Sequence, residues 1–472
     1  MKLYTEKELY KLYHGNMLDM LEVIEPNTID SIVCDPPYEL NFMGKGWDNS
    51  GIAFNKDAWK KCYEVLKPGA YLLAFGGSRT YHRIACAIED AGFEIRDCIM
   101  YLYGSGFPKS HNIGLSIDKR LGNKSKIIDS YERYNEPSGI VSIGQGERKK
   151  VIHEVKKAQN DWDGWGTALK PAYEPIIVAR KPFKTSVAEN TMKYGVGGIN
   201  IDECRIEFVG NENTLRPLGN SCYQKGNKIV NGGEITGTHE LYSETGGNAD
   251  KGRFPANVIH DGSEEAIKDM PNTKGQEGVR TLLTSNIYGG NSFNKSNTKG
   301  TGEISGYSDE GSASRYFYCA KASKKDRDEG LDMFESKQKI FNGKSNQSST
   351  DIKDVEERFT TIGKNIHPTV KPVELMQYLV RLVTPKNGTI LDCFMGSGST
   401  GKATMFENRE RNANYKFIGI ELTDEYLPIC EARIEYAINK YEYDFVKELD
   451  EAKAEGQQNI FDMIGVDKIW FT

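Results

Sequence analysis

The chain of 472 residues contains no Cys-x-x-Cys pair. Its nine cysteines stand at 34, 62, 86, 98, 204, 222, 319, 393 and 430, an odd number at irregular spacing. That argues against a disulfide framework and against a zinc site, so no metal is expected, and it predicts buried free thiols in a reducing compartment. No apolar run approaches eighteen residues, so no membrane span is expected. The N-terminal stretch MKLYTEKELYKLYHG lacks the apolar segment of a signal peptide, and a cytoplasmic protein is the expectation. Positive charge is not in excess: 61 Lys and Arg face 67 Asp and Glu, a net charge of −6. Any contact with a polyanion must therefore come from a local basic surface. Part of the acidity lies in 441–455, which reads as a solvated helix. No internal repeat and no nuclease or helicase motif stands out.

What is present is alternation of strand and helix. Residues 29–34 form a short apolar strand that ends at two prolines. A helix over 58–66 closes at Lys67-Pro68-Gly69, a strand over 71–75 stops at Gly76-Gly77, and a helix over 80–91 carries Ile84, Ala87 and Ile88 on one face. Residues 93–103 are then extended. The pattern returns after 366, with a helix over 373–383, a strand over 389–394, a helix from 399, a strand over 416–421 and a helix over 424–439. Short loops between alternating elements predict a parallel α/β sheet built from both segments. Between them, residues 186–310 are rich in Gly, Asn, Ser and Thr with weak periodicity, and predict irregular loops and short strands.

The sharpest signal is Asp35-Pro36-Pro37-Tyr38 at the end of the first strand. A polar residue, two prolines and an aromatic should arise by chance about 0.01 times in such a chain. The plain alternative is a proline turn. The chemical reading is more specific. An exocyclic amine on a base is a poor nucleophile because its lone pair is delocalised into the ring. The Asp35 carboxylate can accept one N–H, and the Pro36 carbonyl, turned inward by the rigid dipeptide, can accept the other. Two acceptors so placed favour a pyramidal nitrogen whose lone pair meets an electrophilic methyl. Tyr38 offers a face on which a base rotated out of the duplex can stack.

A second signal is Leu391-Asp392-Cys393-Phe394-Met395-Gly396-Ser397-Gly398-Ser399-Thr400, a strand, a glycine turn and a helix start. Gly396 and Gly398 let the backbone approach a ligand closely, and Ser399 or Thr400 can cap the helix. Glu421 ends the next strand, where an acid accepts the ribose hydroxyls of a nucleoside cofactor. A structural glycine turn with a surface Glu is the simpler alternative. The third segment, His367-Pro368-Thr369-Val370-Lys371-Pro372, reads by itself as a proline-bounded loop before a helix.

Together these segments resemble the amino-methyltransferases of the permuted β class. In that family the D-P-P-Y turn comes first, a target-recognition region follows, and H-P-T-x-K-P and D-P-F-x-G-S-G-T lie near the C-terminus. The match covers 12–103 and 366–435, and segments such as GSGFPKS, GWGTALKPAYEPIIVARKP, RFPANVIHD and RYFYCAKASKKDR look like phage and prophage members. The resemblance implies a Rossmann-like α/β fold with circularly permuted motif order, S-adenosyl-L-methionine as cofactor and double-stranded DNA as substrate. It implies catalytic Asp35, Pro36, Pro37 and Tyr38. It implies a cofactor site from Asn16, Asp35, His367, Thr369, Lys371, Asp392, Phe394, Gly396, Ser397, Gly398, Thr400 and Glu421. Two departures stand out: the family's Gly-Asp is Gly15-Asn16 here, and D-P-F is Asp392-Cys393-Phe394.

The same resemblance divides the chain into a catalytic half (1–185), an inserted target-recognition region (186–350), a cofactor-binding half (351–440) and an acidic helical tail (441–472). Basic residues Arg148, Lys149, Lys150, Lys156 and Lys157 lead to Trp162 and Trp165, and could line a phosphate track. Trp47, Lys109, Ser110, Lys170 and Lys321 are further candidates for DNA contact, each against the plain alternative of a solvated surface or a core tryptophan. A homodimer is left open. Asp at position 35 points to N6 of adenine, because cytosine-N4 members more often carry Ser there. Cytosine N4 is the alternative, followed by an amide or amine of RNA or protein, and by a binding module without catalysis.

Overall fold

Strand 29–34 is buried at every position, as a strand covered by helices on both faces must be. Its side chains alternate between two cores. Val33 joins Leu73, Val178, Leu379 and Ile434 on one face. Ile32 and Cys34 join Leu72, Trp59, Ile84 and Ile88 on the other. The computed structural model describes residues 2–40, 46–106, 110–134, 150–207, 252–273, 277–280, 303–306, 310–321, 325–340 and 360–454.

In chain order the elements are β1 (Lys2–Glu6), β2 (Tyr10–His14), α1 (Met17–Met20), β3 (Ile29–Cys34), α2 (Lys56–Val65), β4 (Leu66–Phe75), α3 (Tyr81–Asp90) and β5 (Glu94–Leu102). Then come α4 (Ile113–Leu121), the hairpin β6 (Lys126–Tyr134) and β7 (Lys150–Lys157), β8 (Tyr173–Arg180) and α5 (Val187–Tyr194). β9 (Val258–His260), β10 (Tyr318–Cys319), α6 (Val373–Val383), β11 (Thr389–Asp392), α7 (Ser399–Arg411), β12 (Lys416–Glu421) and α8 (Leu427–Ala454) complete the set used here.

One ten-stranded sheet runs β1-β2-β12-β11-β3-β4-β8-β5-β9-β10. The two α/β segments therefore build a single sheet, as the alternation predicts. Its centre, from β2 to β4, is parallel. β8 is antiparallel to both β4 and β5, so the sheet is mixed rather than purely parallel. The fold is Rossmann-like α/β, with α2 and α3 on one face and α6, α7 and α8 on the other.

Two local expectations are corrected. Lys67-Pro68-Gly69 does not end a helix before a loop; β4 runs through it. The pairing with β3 shifts between Ile29 and Ser31, which absorbs the missing proline donor. Gly69 sits at φ +86, and a Cβ there would fall 2.2 Å from Asn190 Nδ2. Helix α6 is buried on its polar side as well as its apolar face: Leu375 to Val383, Gln377 and Arg381 included, are all buried, because the helix is wedged between the sheet and α7. Its buried Arg381 reaches Glu407 of α7 through two bonds of 2.9 and 2.6 Å. The cysteines at described positions are free, but Cys86 and Cys98 are exposed rather than buried, since they fall on outward positions of α3 and β5.

Candidate active site

Parallel strands deliver their carboxyl ends to one edge of a sheet. Here Leu391 of β11 pairs with Ile32 of β3, so the chain leaving β3 as Asp35 and the chain leaving β11 as the glycine loop emerge side by side. Glu421 pairs with His14, and Gly15 N–H donates to the Glu421 carbonyl at 3.0 Å, which brings Asn16 to the same edge. A cavity of about 710 Å³ lies between them. Asn16, the whole Asp35–Tyr38 turn, His367, Thr369, Lys371, Asp392, Phe394, Gly396, Ser397, Thr400 and Glu421 all line it.

At the acidic turn, Asp35 Oδ2 accepts from Lys371 Nζ at 2.8 Å. Lys371 also lies 3.3 Å from Glu174 Oε2 and donates to the Tyr38 hydroxyl at 3.1 Å. Burial opposes the ammonium charge, but Asp35 and Glu174 outweigh it and hold Lys371 above the ordinary lysine value. The same surroundings, burial first and then the two carboxylates, keep the Tyr38 phenol protonated. The second Asp35 oxygen, Oδ1, is buried and has no hydrogen-bond partner among the described residues. A buried acceptor left unpaired is costly, and at the wall of a cavity it is placed to take a donor from a ligand. Behind the turn, Asp48 accepts from the Glu39 and Leu40 amides at 3.0 and 3.2 Å, and Thr80 donates to the Tyr38 carbonyl at 2.7 Å. The turn is thus fixed from two sides.

The glycine loop is pinned from within. Thr400 Oγ1 donates to Asp392 Oδ2 at 2.6 Å, and the Phe394 amide donates to Asp392 Oδ1 at 3.0 Å. Burial pushes the Asp392 carboxyl well above the usual range. Neither Ser399 nor Thr400 caps α7. The cap is Gly398 at φ +75, because Thr400 already lies inside the first turn with its hydroxyl committed to Asp392. Arg433, fully buried on α8, donates to the Ser397 carbonyl at 2.6 Å and hydroxyl at 2.9 Å. Glu421 accepts from the Gly396 amide at 2.7 Å and from the Thr423 amide at 2.7 Å. Burial nevertheless pushes its carboxyl up to about 7 against these two donors.

Several residues read from the motifs have a local partner. Asn16 caps α1 through the Leu18 amide at 2.9 Å. The His367 ring lies 4.7 Å from the Tyr426 ring, edge to face, and its Nδ1 meets the Thr369 carbonyl. Of the candidate DNA contacts, Lys109 and the Trp47 side chain lie outside the described residues. Ser110 accepts from the Thr167 and Ala168 amides, and Lys170 and Lys321 are exposed away from the cavity. Glu174, Tyr101, Tyr103 and Asp261 line the cavity and carry no local sequence signature. They come from β5, β8 and the end of β9, and only strand pairing brings them to the edge.

The family model N6_N4_Mtase, described as DNA methylase, matches residues 29–432. The Type II methyltransferase M2.DpnII of Streptococcus pneumoniae is 38% identical over 240 residues, covering 44% of this chain and 87% of its own. M2.LlaDCHI of Lactococcus lactis subsp. cremoris is 25% identical over 240 residues, with 44% and 86% covered. Among solved structures, the PvuII DNA methyltransferase (cytosine-N4-specific) overlaps 93% of this chain and 96% of its own at 12% identity and a TM-score of 0.39. The matched span begins before the acidic turn and ends beyond the glycine loop and Glu421, so it takes in both walls of the cavity, and the chain belongs to the N6/N4 DNA methylase family.

Proposed function

We propose that this protein transfers a methyl group from S-adenosylmethionine to N6 of adenine in double-stranded DNA. The order of its motifs, acidic turn before glycine loop, supports the β class. The observation that carries the reading is the buried Asp35 Oδ1, unpartnered among the described residues, in one cavity with Glu421 and the glycine loop. Bound there, S-adenosylmethionine supplies an electrophilic sulfonium methyl. Glu421 accepts the two ribose hydroxyls, and Gly396, which lines the cavity, leaves room for the backbone to approach; Gly398, expected there from the motif, does not line the cavity, and a Cβ on it would fall 3.0 Å from Cys430. Asp35 Oδ1 takes one amine N–H of the flipped base and the Pro36 carbonyl takes the other, which restores lone-pair density on nitrogen. Lys371 holds Asp35 in place through Oδ2, leaving Oδ1 for the substrate. Tyr38 stacks on the base. The alkylated nitrogen is strongly acidic and releases its proton without a strong base.

Nucleoside analysis of duplex DNA incubated with methyl-labelled cofactor tests this. N6-methyladenine is the expected product. N4-methylcytosine would transfer the reading to the other amine, and label in RNA or protein with none in DNA would remove it.

Glu421 makes cofactor affinity pH-dependent. Its carboxyl titrates at about 7, and hydroxyl donors require the ionised form. Binding therefore expels a proton, so affinity rises with pH. Between pH 6 and 8 the cofactor dissociation constant is expected to fall roughly tenfold. Glu421→Gln should bind more weakly with a flat profile; calorimetry across pH reads both. An equally steep profile in the variant would assign the dependence to another group.

A further inference from the structure

The described residues between β5 and β8, 110–134 and 150–170, build a lobe of opposite net charge to the chain. They carry nine Lys and Arg against six Asp and Glu, net +3 in a chain of net −6. At the neck of this lobe the backbone is tightly fixed. The Ile113 amide donates to the Trp165 carbonyl at 3.0 Å, buried Asp118 accepts from the Gln159 amide at 2.8 Å, and Asn112 bridges to Gly166. A Cβ on Gly114 would fall 2.7 Å from the Trp162 carbonyl, so α4 lies directly against this segment. On that fixed backbone two indoles point outward. Trp162 and Trp165 are 46% and 58% exposed, with ring centroids 5.1 Å apart and nearly perpendicular.

Ordering two large apolar rings in water has no folding benefit. Exposed aromatics on a rigid, basic platform mark a recognition surface. The lobe leaves the sheet at the cavity rim: Tyr103 and Ser105 line the cavity, and the Tyr103 amide donates to the Ala172 carbonyl, just past the lobe, at 3.0 Å. Lys124, Lys126, Lys156 and Lys157 are exposed on the same lobe.

Resting on the DNA-methylation reading above, we propose that this lobe is the docking surface for duplex DNA beside the active site. Its lysines contact phosphates, and the Trp162–Trp165 pair contacts bases at or next to the step from which the target base leaves. Positive charge gives salt-dependent affinity for any sequence, and aromatic contact supplies stacking that basic residues alone cannot. Pairing of this lobe with the same lobe of a second copy, the other occupant an apolar surface could take, is disfavoured by like charge.

The test uses the full chain, a fluorescent random-sequence duplex and labelled S-adenosylmethionine. The double variant W162A/W165A should bind the duplex at least tenfold more weakly and lose methyl transfer at low DNA concentration. Its cofactor dissociation constant, which reads an intact core, should stay within twofold. K124E/K126E should weaken duplex binding and reduce its salt dependence, which keeps the proposal testable if the tryptophan variant does not fold. DNA affinity unchanged in both variants overturns the proposal while the methylation reading stands. Wild-type protein that dimerises through this lobe, with Trp162 and Trp165 needed only for dimerisation, also overturns it. Wild-type protein that labels no duplex DNA removes the methylation reading itself, a result separable from the others.

Discussion

Asp35→Ala should reduce methyl transfer to duplex DNA by about 10³-fold or more, some 4 kcal/mol of transition-state stabilisation, at saturating cofactor. The size follows from what Asp35 does in the geometry. Its Oδ1 is a buried acceptor at the cavity with no partner among the described residues. Without it the exocyclic amine keeps its lone pair in the ring and meets the methyl as a planar, weak nucleophile. The fold should survive. Lys371, which loses Asp35, keeps Glu174 at 3.3 Å and the Tyr38 hydroxyl at 3.1 Å, so no buried cation is stranded. The cofactor dissociation constant should therefore stay within about threefold, while kcat collapses. A variant that loses cofactor affinity in proportion to activity would show Asp35 acting on the donor rather than on the base.

Lys371→Met is expected to lower kcat by about 100-fold at neutral pH, for a different reason. The substitution keeps the length of the side chain and removes its charge. Asp35 then loses the ion pair that holds its Oδ2, and Asp35 and Glu174, no longer bridged by a cation, repel each other, so Oδ1 is no longer held where it can accept the amine N–H. The cofactor dissociation constant should stay within about threefold while kcat falls. Lys371→Arg, which keeps the charge, should recover part of the loss. Loss of cofactor affinity in proportion to activity would instead make Lys371 a cofactor contact.

That contrast marks where the sequence was legible. Motif residues carried their own chemistry: a carboxylate before two prolines and an acid at the end of the strand after a glycine loop are local patterns, and strand pairing places both on one cavity. Lys371 sits in a recognisable segment, yet the resemblance assigns it to the cofactor while the structure pairs it with Asp35. No local pattern distinguishes the two, because the partner is 336 positions away. Glu174 was illegible for the same reason. It becomes a site residue only because β8 runs antiparallel between β4 and β5 and delivers its first residues to the cavity edge. Thr400 illustrates the converse. Its side chain suited a helix cap, but Asp392, eight residues earlier and buried, took the hydroxyl. Burial, not propensity, decided that bond.

The long insertions were legible mainly as composition. Weak periodicity flagged 186–310 as irregular, and 252–273 and 310–321 contribute β9, β10 and the cavity residue Asp261. The basic stretch before Trp162 read as a phosphate track with no shape attached. The fold adds the fixed neck that turns the two indoles outward.

The most direct test is a crystal structure of the chain with S-adenosylmethionine bound. The account predicts the ribose hydroxyls on Glu421 and the sulfonium methyl turned toward Asp35, with the Lys371–Asp35 pair intact. Cofactor density outside this cavity, or a methyl directed away from the Asp35–Tyr38 turn, would contradict it.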